Sequence, residues 1–274
     1  MKKLIYFPIL SLIMLFAVAC NKPATTAENA ENDTIETVAE PIVQTNSAAE
    51  ILAKKQVPVL CYHRIENGRN DEYTVSPATF KAQIQALADS GFHTILPDEY
   101  YDYLVYNKEL PEKPVMITFD DSRVEHATIA APVLEQHGFR GVFFIMTITY
   151  NKRNYMSTDQ LAELAKNGHS VSFHSWDHTR ATRYDNDSIL RVNVTEPLAK
   201  LEEIIGEPVE YFAYPYGLTD TRTTAQMHDH FKMSFILSTE RDSVYPLQTV
   251  RRMIACEWKP QSLMNIMERT FSHR

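Results

Sequence analysis

The sequence predicts an α/β fold, a distorted parallel (β/α) barrel of seven or eight strands in a single catalytic-size domain. From residue 57 onward, strand-like apolar runs alternate with helix-like segments, the pattern of a parallel sheet covered by helices. The run Val115-Met116-Ile117-Thr118-Phe119 is apolar and β-branched throughout, as a strand buried on both faces is, and it ends in adjacent carboxylates, Asp120 and Asp121. Parallel sheets and barrels hold ligands at such carboxyl ends. A doubly wound open sheet is the alternative architecture. With only 7 glycines and no glycine-rich loop after any strand, nucleotide binding is not expected.

The elements follow in order. Residues 57–62 read as a strand, and Ser76-Pro77 supplies an N-cap and a first-turn proline for a helix that Gly91 ends. Residues 92–96 form a second strand, followed by a tyrosine-rich helix over 98–107. After the strand 115–119, a helix over 124–137 stops at Gly138, and 141–146 is a very apolar strand. Ser157 and Gln160 make a capping box for the next helix, which ends at Gly168. Then come a strand over 169–173, a long helix over 187–205, a strand over 209–214 and a helix over 221–230. Strands over 233–237 and 249–254 and a helix from Gln261 complete the chain. No internal repeat is visible.

The 274 residues, 44% hydrophobic and 23% charged, suffice for one good-sized core. A net charge of -8 argues against nucleic acid or an acidic membrane surface as partner, since either needs a basic face. Lys2 and Lys3 before an apolar run mark residues 1–19 as a signal peptide. Cys20 after Ala17-Val18-Ala19 is placed like the acceptor cysteine of a bacterial lipoprotein, with plain secretion as the alternative. Residues 20–56, rich in Ala, Thr, Glu and Asn, are expected to be a disordered tether, leaving 57–274 as the folded domain. The protein is thus expected to be exported to the cell envelope, to meet a membrane only through a lipid anchor, and to be a monomer. Cys61 and Cys256 could pair or remain buried thiols.

Two neighbouring aspartates at a strand end repel each other unless a cation or proton intervenes, although a lone Asp pair can simply cap a helix. His174 and His178 follow another strand, and a spacing of four brings both imidazoles to one side if the segment turns helically. Two imidazoles and a carboxylate leave a position open on a zinc-like ion, which suits catalysis. A third strand ends in Tyr214-Pro215-Tyr216-Gly217, a sharp loop able to present a backbone N-H to a reacting oxygen.

Together these stretches resemble the polysaccharide deacetylases of carbohydrate esterase family 4, the NodB homology domain. Thr118-Phe119-Asp120-Asp121 is similar to the first motif, His174 to His178 to the second, and Pro215-Tyr216-Gly217 to the core of the third. The resemblance implies that Asp121, His174 and His178 bind a divalent ion, Zn with Ni or Co as alternatives. It also implies that Asp120 is the catalytic base, that the Tyr216 N-H helps form an oxyanion hole, and that Tyr214, Pro215 and Tyr216 line the substrate site. The chain departs from the family at Ala213, where an arginine normally orients the base, and at Ser122, where glycine is usual. The family's late leucine-x-histidine acid is absent too. The stretch Pro58 to Arg64 resembles the opening of exported deacetylases acting on poly-β-1,6-N-acetylglucosamine, which makes His63 the acid candidate. In that branch an arginine before an apolar residue occurs in the last strand, and Arg252-Met253 matches it, with alternation sending Arg251 or Arg252 inward. The activity so implied is N-deacetylation of an N-acetylglucosamine-containing polysaccharide. An O-acetyl xylan-type esterase and a catalytically weak glycan-binding protein are the alternatives.

Overall fold

The computed structural model describes residues 45–238 and 240–272. The expected signal peptide and Cys20 lie outside them. Eight short strands form the main sheet: β1 (Val59–Tyr62), β2 (Pro114–Phe119), β3 (Val142–Ile145), β4 (Ser170–Phe173), β5 (Tyr211–Ala213), β6 (Met233–Ile236), β7 (Val250–Arg251) and β8 (Met253–Ile254). All pair in parallel, in the order β7-β6-β5-β4-β3-β2-β1-β8. The two ends of that order are neighbours in sequence, separated by Arg252 alone. The Arg252 N-H donates to the Ile236 carbonyl at 3.0 Å, and the Ala255 N-H donates to the Cys61 carbonyl at 2.9 Å. One stretch of chain therefore joins β6 to β1, and the sheet all but closes into a barrel.

Alternation along the strands sorts the core into two layers. Leu60 and Tyr62 of β1 face outward against Phe80, Ile84 and Leu87 of the helix Pro77–Asp89. Val59, Met116, Phe144, Ala213, Phe235 and Val250 belong to a separate inner cluster that fills the barrel. Ile51, Tyr100 and Leu104 join that cluster from helices Ala48–Ala53 and Pro97–Tyr106. The stretch expected as a tether is therefore folded over its last part. The reason is local: the Ser47 side chain accepts the Glu50 N-H, Glu50 reaches back to the Ser47 N-H at 2.7 Å, and the helix so capped buries Ile51.

Other differences also have physical causes. The expected strand at 92–96 shrinks to His93–Thr94, which pairs with the start of β2 beside the ring. Each of the two longer expected helices contains a π-helical stretch, His126–Ala130 ahead of Ala131–Gln136 and Arg191–Thr195 ahead of Glu196–Ile205. Pro132 and Pro197 sit at the second residue of the α-helical parts. A proline offers no N-H and crowds the preceding turn, and a widened turn relieves both problems. Cys61 and Cys256 are free thiols.

Candidate active site

The strand β2 sends Thr118 and Asp120 inward and buries both. Beyond Asp120 the backbone turns sharply, with φ of 73° at Asp121 and 58° at Ser122. Two successive non-glycine residues in the left-handed region are strained, and they are held from outside the turn. The Ser122 hydroxyl accepts the Met146 N-H at 2.7 Å, and its carbonyl accepts the Met156 N-H at 3.0 Å. Serine thus adopts here the conformation that glycine reaches freely, with two hydrogen bonds offsetting the strain.

His174 leaves the end of β4 and is buried. Its Nδ1 is 2.7 Å from the Ala213 carbonyl, which fixes the proton on Nδ1 and leaves the Nε2 lone pair directed at the carboxylates. That Nε2 has no hydrogen-bond partner and lies 3.6 Å from Asp121 Oδ1. The segment after it is not helical, so the two imidazoles converge by another route than a helical turn. Ser175 and His178 both have left-handed φ, 68° and 67°, and the Ser175 hydroxyl accepts the His178 N-H at 2.9 Å. This tight turn brings His178 Nε2 to 3.5 Å from Asp121 Oδ1. Donors bound tetrahedrally at about 2.0–2.1 Å lie about 3.4 Å apart, so the three side chains fit one zinc-like ion. The unpartnered Nε2 and the mixed nitrogen and oxygen donor set agree with that fit.

Asp120 faces the same point, its Oδ2 3.8 Å from His174 Nε2. The side chain of Arg252 lies fully inside the barrel and grips Asp120 with both terminal nitrogens, at 2.7 and 2.8 Å. It also donates to Thr118 Oγ1 at 3.2 Å, and Thr118 in turn donates to the Leu60 carbonyl at 2.9 Å. The cation absent at Ala213 therefore arrives from the closing strand. His63 Nε2 also stands near Asp120, 4.0 Å from Oδ2. The ring of His63 meets Tyr73 edge-on at 5.1 Å, and its carbonyl accepts the Nε2-H of buried His126 at 2.6 Å.

These contacts set the charges. Burial, the largest influence, would push Asp120 up, but the Arg252 guanidinium together with His174 and His63 more than offsets it and holds the carboxyl well below its ordinary range. Burial likewise raises Asp121, and His174, His63 and His178 together lower it further, so both aspartates are ionised at neutral pH. Burial, then the charge of His174, lowers His178 to about 4, and burial lowers His63. His174 resists burial because Asp120 and Asp121 favour its charged form, a balance that a bound cation would reverse.

The loop after β5 differs from expectation in one respect. Tyr214 is fully buried, packed edge-on against Phe212 at 5.0 Å, and Pro215 is buried as well. Neither side chain faces a polymer, because both pack into the core where the chain turns after β5. Tyr216 remains, 53% exposed with φ of 63°, its ring 4.5 Å from that of His178 and the Arg180 guanidinium 4.9 Å from its centroid. Gly217 permits the close approach of the next strand's end, since a Cβ there would lie 2.3 Å from Leu237 Cβ. Sequence reasoning missed Thr118, Ser175 and His126 as supports. Thr118 had a signal, standing two residues before Asp120 on the same face of the strand; His126 had none.

The family model described as polysaccharide deacetylase matches residues 107–231. That span holds Asp120, Asp121, His174, His178 and Tyr216, but neither His63 nor Arg252. YxkH of Bacillus subtilis (strain 168), assigned to the polysaccharide deacetylases, is 32% identical over 123 residues, which cover 45% of this chain and 43% of YxkH. The chain spans less than half the length of the curated relatives it matches. Deacetylase PplD of Streptococcus pyogenes, solved with acetate, aligns with a TM-score of 0.71 and 23% identity over 78% of this chain and 98% of its own. IcaB from Ammonifex degensii aligns with a TM-score of 0.65 and 26% identity over 79% and 97%.

Proposed function

We propose that this chain carries a polysaccharide deacetylase domain of the NodB type and is a metal-dependent hydrolase that removes N-acetyl groups from a glucosamine-containing polysaccharide. The observation that carries this proposal is the pairing of Arg252 with Asp120, directly beside the converging donors of Asp121, His174 and His178. A divalent ion held by those three side chains, Zn with Ni or Co as alternatives, would polarise the acetyl carbonyl and acidify the attacking water.

The chain's own residues supply the proton transfers. Asp120, kept ionised and oriented by Arg252, accepts a proton from water as its oxygen bonds to the carbonyl carbon. The backbone N-H of Tyr216 steadies the developing oxyanion. His63, whose Nε2 stands 4.0 Å from Asp120 Oδ2, takes up the proton that Asp120 accepted from water and passes it to the departing nitrogen as the carbon-nitrogen bond breaks, leaving acetate and a free amine. An amine leaves poorly unless protonated, whereas an alkoxide needs less help. The position of His63 therefore favours amides over the ester alternative. The exposed Tyr216 ring offers an apolar face for a sugar.

Acetate release from N-acetylated and O-acetylated polymers, with and without chelator, tests the proposal. Metal-dependent release from the N-acetylated polymer is expected. Preferential release from acetylated xylan would favour the esterase, and glycan retention on a column without any release would favour a binding protein.

A further inference from the structure

Cys61 and His63 stand two residues apart on β1 and its continuation, on the face that looks into the barrel. Cys61 is a fully buried free thiol, its Sγ 3.9 Å from His63 Nδ1. With Asp120, the two residues place one donor atom each within 4.8 Å of the others. The deacetylation proposed above gives the thiol no role. We propose that Cys61, His63 and Asp120 form a second cation site, selective for soft divalent ions such as Zn2+ or Cd2+, and that filling it switches the enzyme off.

The donor set accounts for the selectivity. Thiolate sulfur with imidazole nitrogen and one carboxylate oxygen suits Zn2+ or Cd2+, whereas Asp121, His174 and His178 offer no sulfur. The nitrogen that faces the thiol is Nδ1, so an ion there would engage the His63 ring from the side away from Nε2. Arg252 occupies one lone pair on each Asp120 oxygen, and each oxygen retains another. Two features make this the weaker site. The Arg252 charge is close by, and the thiol must lose its proton although burial pushes its pKa well up. On binding, the sulfur-hydrogen bond breaks, a sulfur-metal bond forms and the proton passes to solvent, with no change of oxidation state. Occupation therefore follows that of the first site and requires metal in excess. The inhibitory consequence rests on the roles proposed for Asp120 and His63, because the ion would engage both; the binding itself does not.

Cobalt titration of the chelator-stripped full chain tests the binding. A thiolate-to-cobalt charge-transfer band can arise only where sulfur is a ligand. The band should be absent at the first equivalent, grow with the second, vanish in Cys61→Ser and persist in Cys256→Ser and Cys20→Ser. Near-ultraviolet circular dichroism checks that the Cys61→Ser variant is folded, and Cys61→Ala serves as a second variant. With Zn2+, turnover of the unmodified protein should fall about tenfold once free ion reaches about nine times the second site's Kd, when nine-tenths of the molecules hold it. Cys61→Ser should escape that inhibition. No band at any cobalt concentration, or a band that survives Cys61→Ser, overturns the site. A band that depends on Cys61 without loss of turnover overturns the inhibitory role, and with it the assignment of Asp120 and His63 to catalysis.

Discussion

Replacing Arg252 by alanine removes the only cation among the described residues that pairs bidentately with Asp120. Two charge-assisted hydrogen bonds are lost, each worth roughly 1.5–3 kcal/mol, and a buried carboxylate is left without its partner. Their sum, roughly 3–6 kcal/mol, overlaps the roughly 3–5 kcal/mol typical of breaking a buried pair. A destabilisation of about 3–5 kcal/mol is therefore expected at neutral pH, read from denaturant unfolding of the metal-free protein. The functional effect follows from the same pair. Without Arg252, burial pushes Asp120 upward, so a larger fraction of the base is protonated at pH 7 and its orientation is no longer fixed. A base contributes about 10²–10⁴-fold, and a loss of about 10²-fold in kcat is expected because Asp120 itself remains. The acid limb of the pH-rate profile should move to higher pH, and turnover should partly recover as pH is raised. Metal content should change little, since the hydrogen bonds of the guanidinium go to Asp120 and Thr118. Arg252→Lys, which restores charge without the planar fork, should fall between the two. A folded Arg252→Ala protein with unchanged kcat and an unshifted acid limb would refute this account of how the base is held.

Other expectations are as direct. Asp120→Asn should retain metal by elemental analysis while kcat falls about 10²–10⁴-fold; loss of metal from a folded variant would reverse the roles given to Asp120 and Asp121. In the metal-free protein, burial holds His63, His126, His169 and His178 below their unfolded value of about 6.5, so folding opposes their protonation. Their folded pKa values being the lower, stability should decline as pH falls below about 6.5. His174, raised by its carboxylates, runs the other way but is outnumbered. Denaturation midpoints that rise between pH 7 and 5 would contradict this sign. Gly217→Ala should destabilise by roughly 1–3 kcal/mol, because the new Cβ collides with Leu237 at a left-handed φ of 66°. Cys20→Ser should move the protein from the membrane fraction to the soluble fraction of cells; unchanged membrane association would exclude lipid anchoring at that residue.

Much of the site was legible because strand chemistry is local. A run of five apolar or β-branched residues behind a proline fits a strand buried on both faces, and its end is where Asp120 and Asp121 emerge. Period-two alternation likewise limited the inward arginine to Arg251 or Arg252 without any knowledge of the barrel. The capping pairs Ser76-Pro77 and Ser157-Gln160 marked helix starts for the same reason, since they satisfy backbone groups within one turn. Ser47-Glu50 is an equal signal that lay inside a stretch whose composition suggested disorder, and there the local rule was the better guide.

What the sequence determined by itself is therefore most of the strands and helices, which ends carry polar groups, and which residue types stand there. Tertiary structure decided which of those ends meet. Arg252 reaches Asp120 across 132 positions of sequence because the interrupted strand β7-β8 closes the barrel, and no local pattern encodes that closure. The burial of Tyr214 and Pro215, and the left-handed turn between His174 and His178, are likewise products of packing. Strained backbone of that kind is disfavoured in an isolated segment and persists only where distant contacts, such as the Met146 N-H on Ser122, hold it.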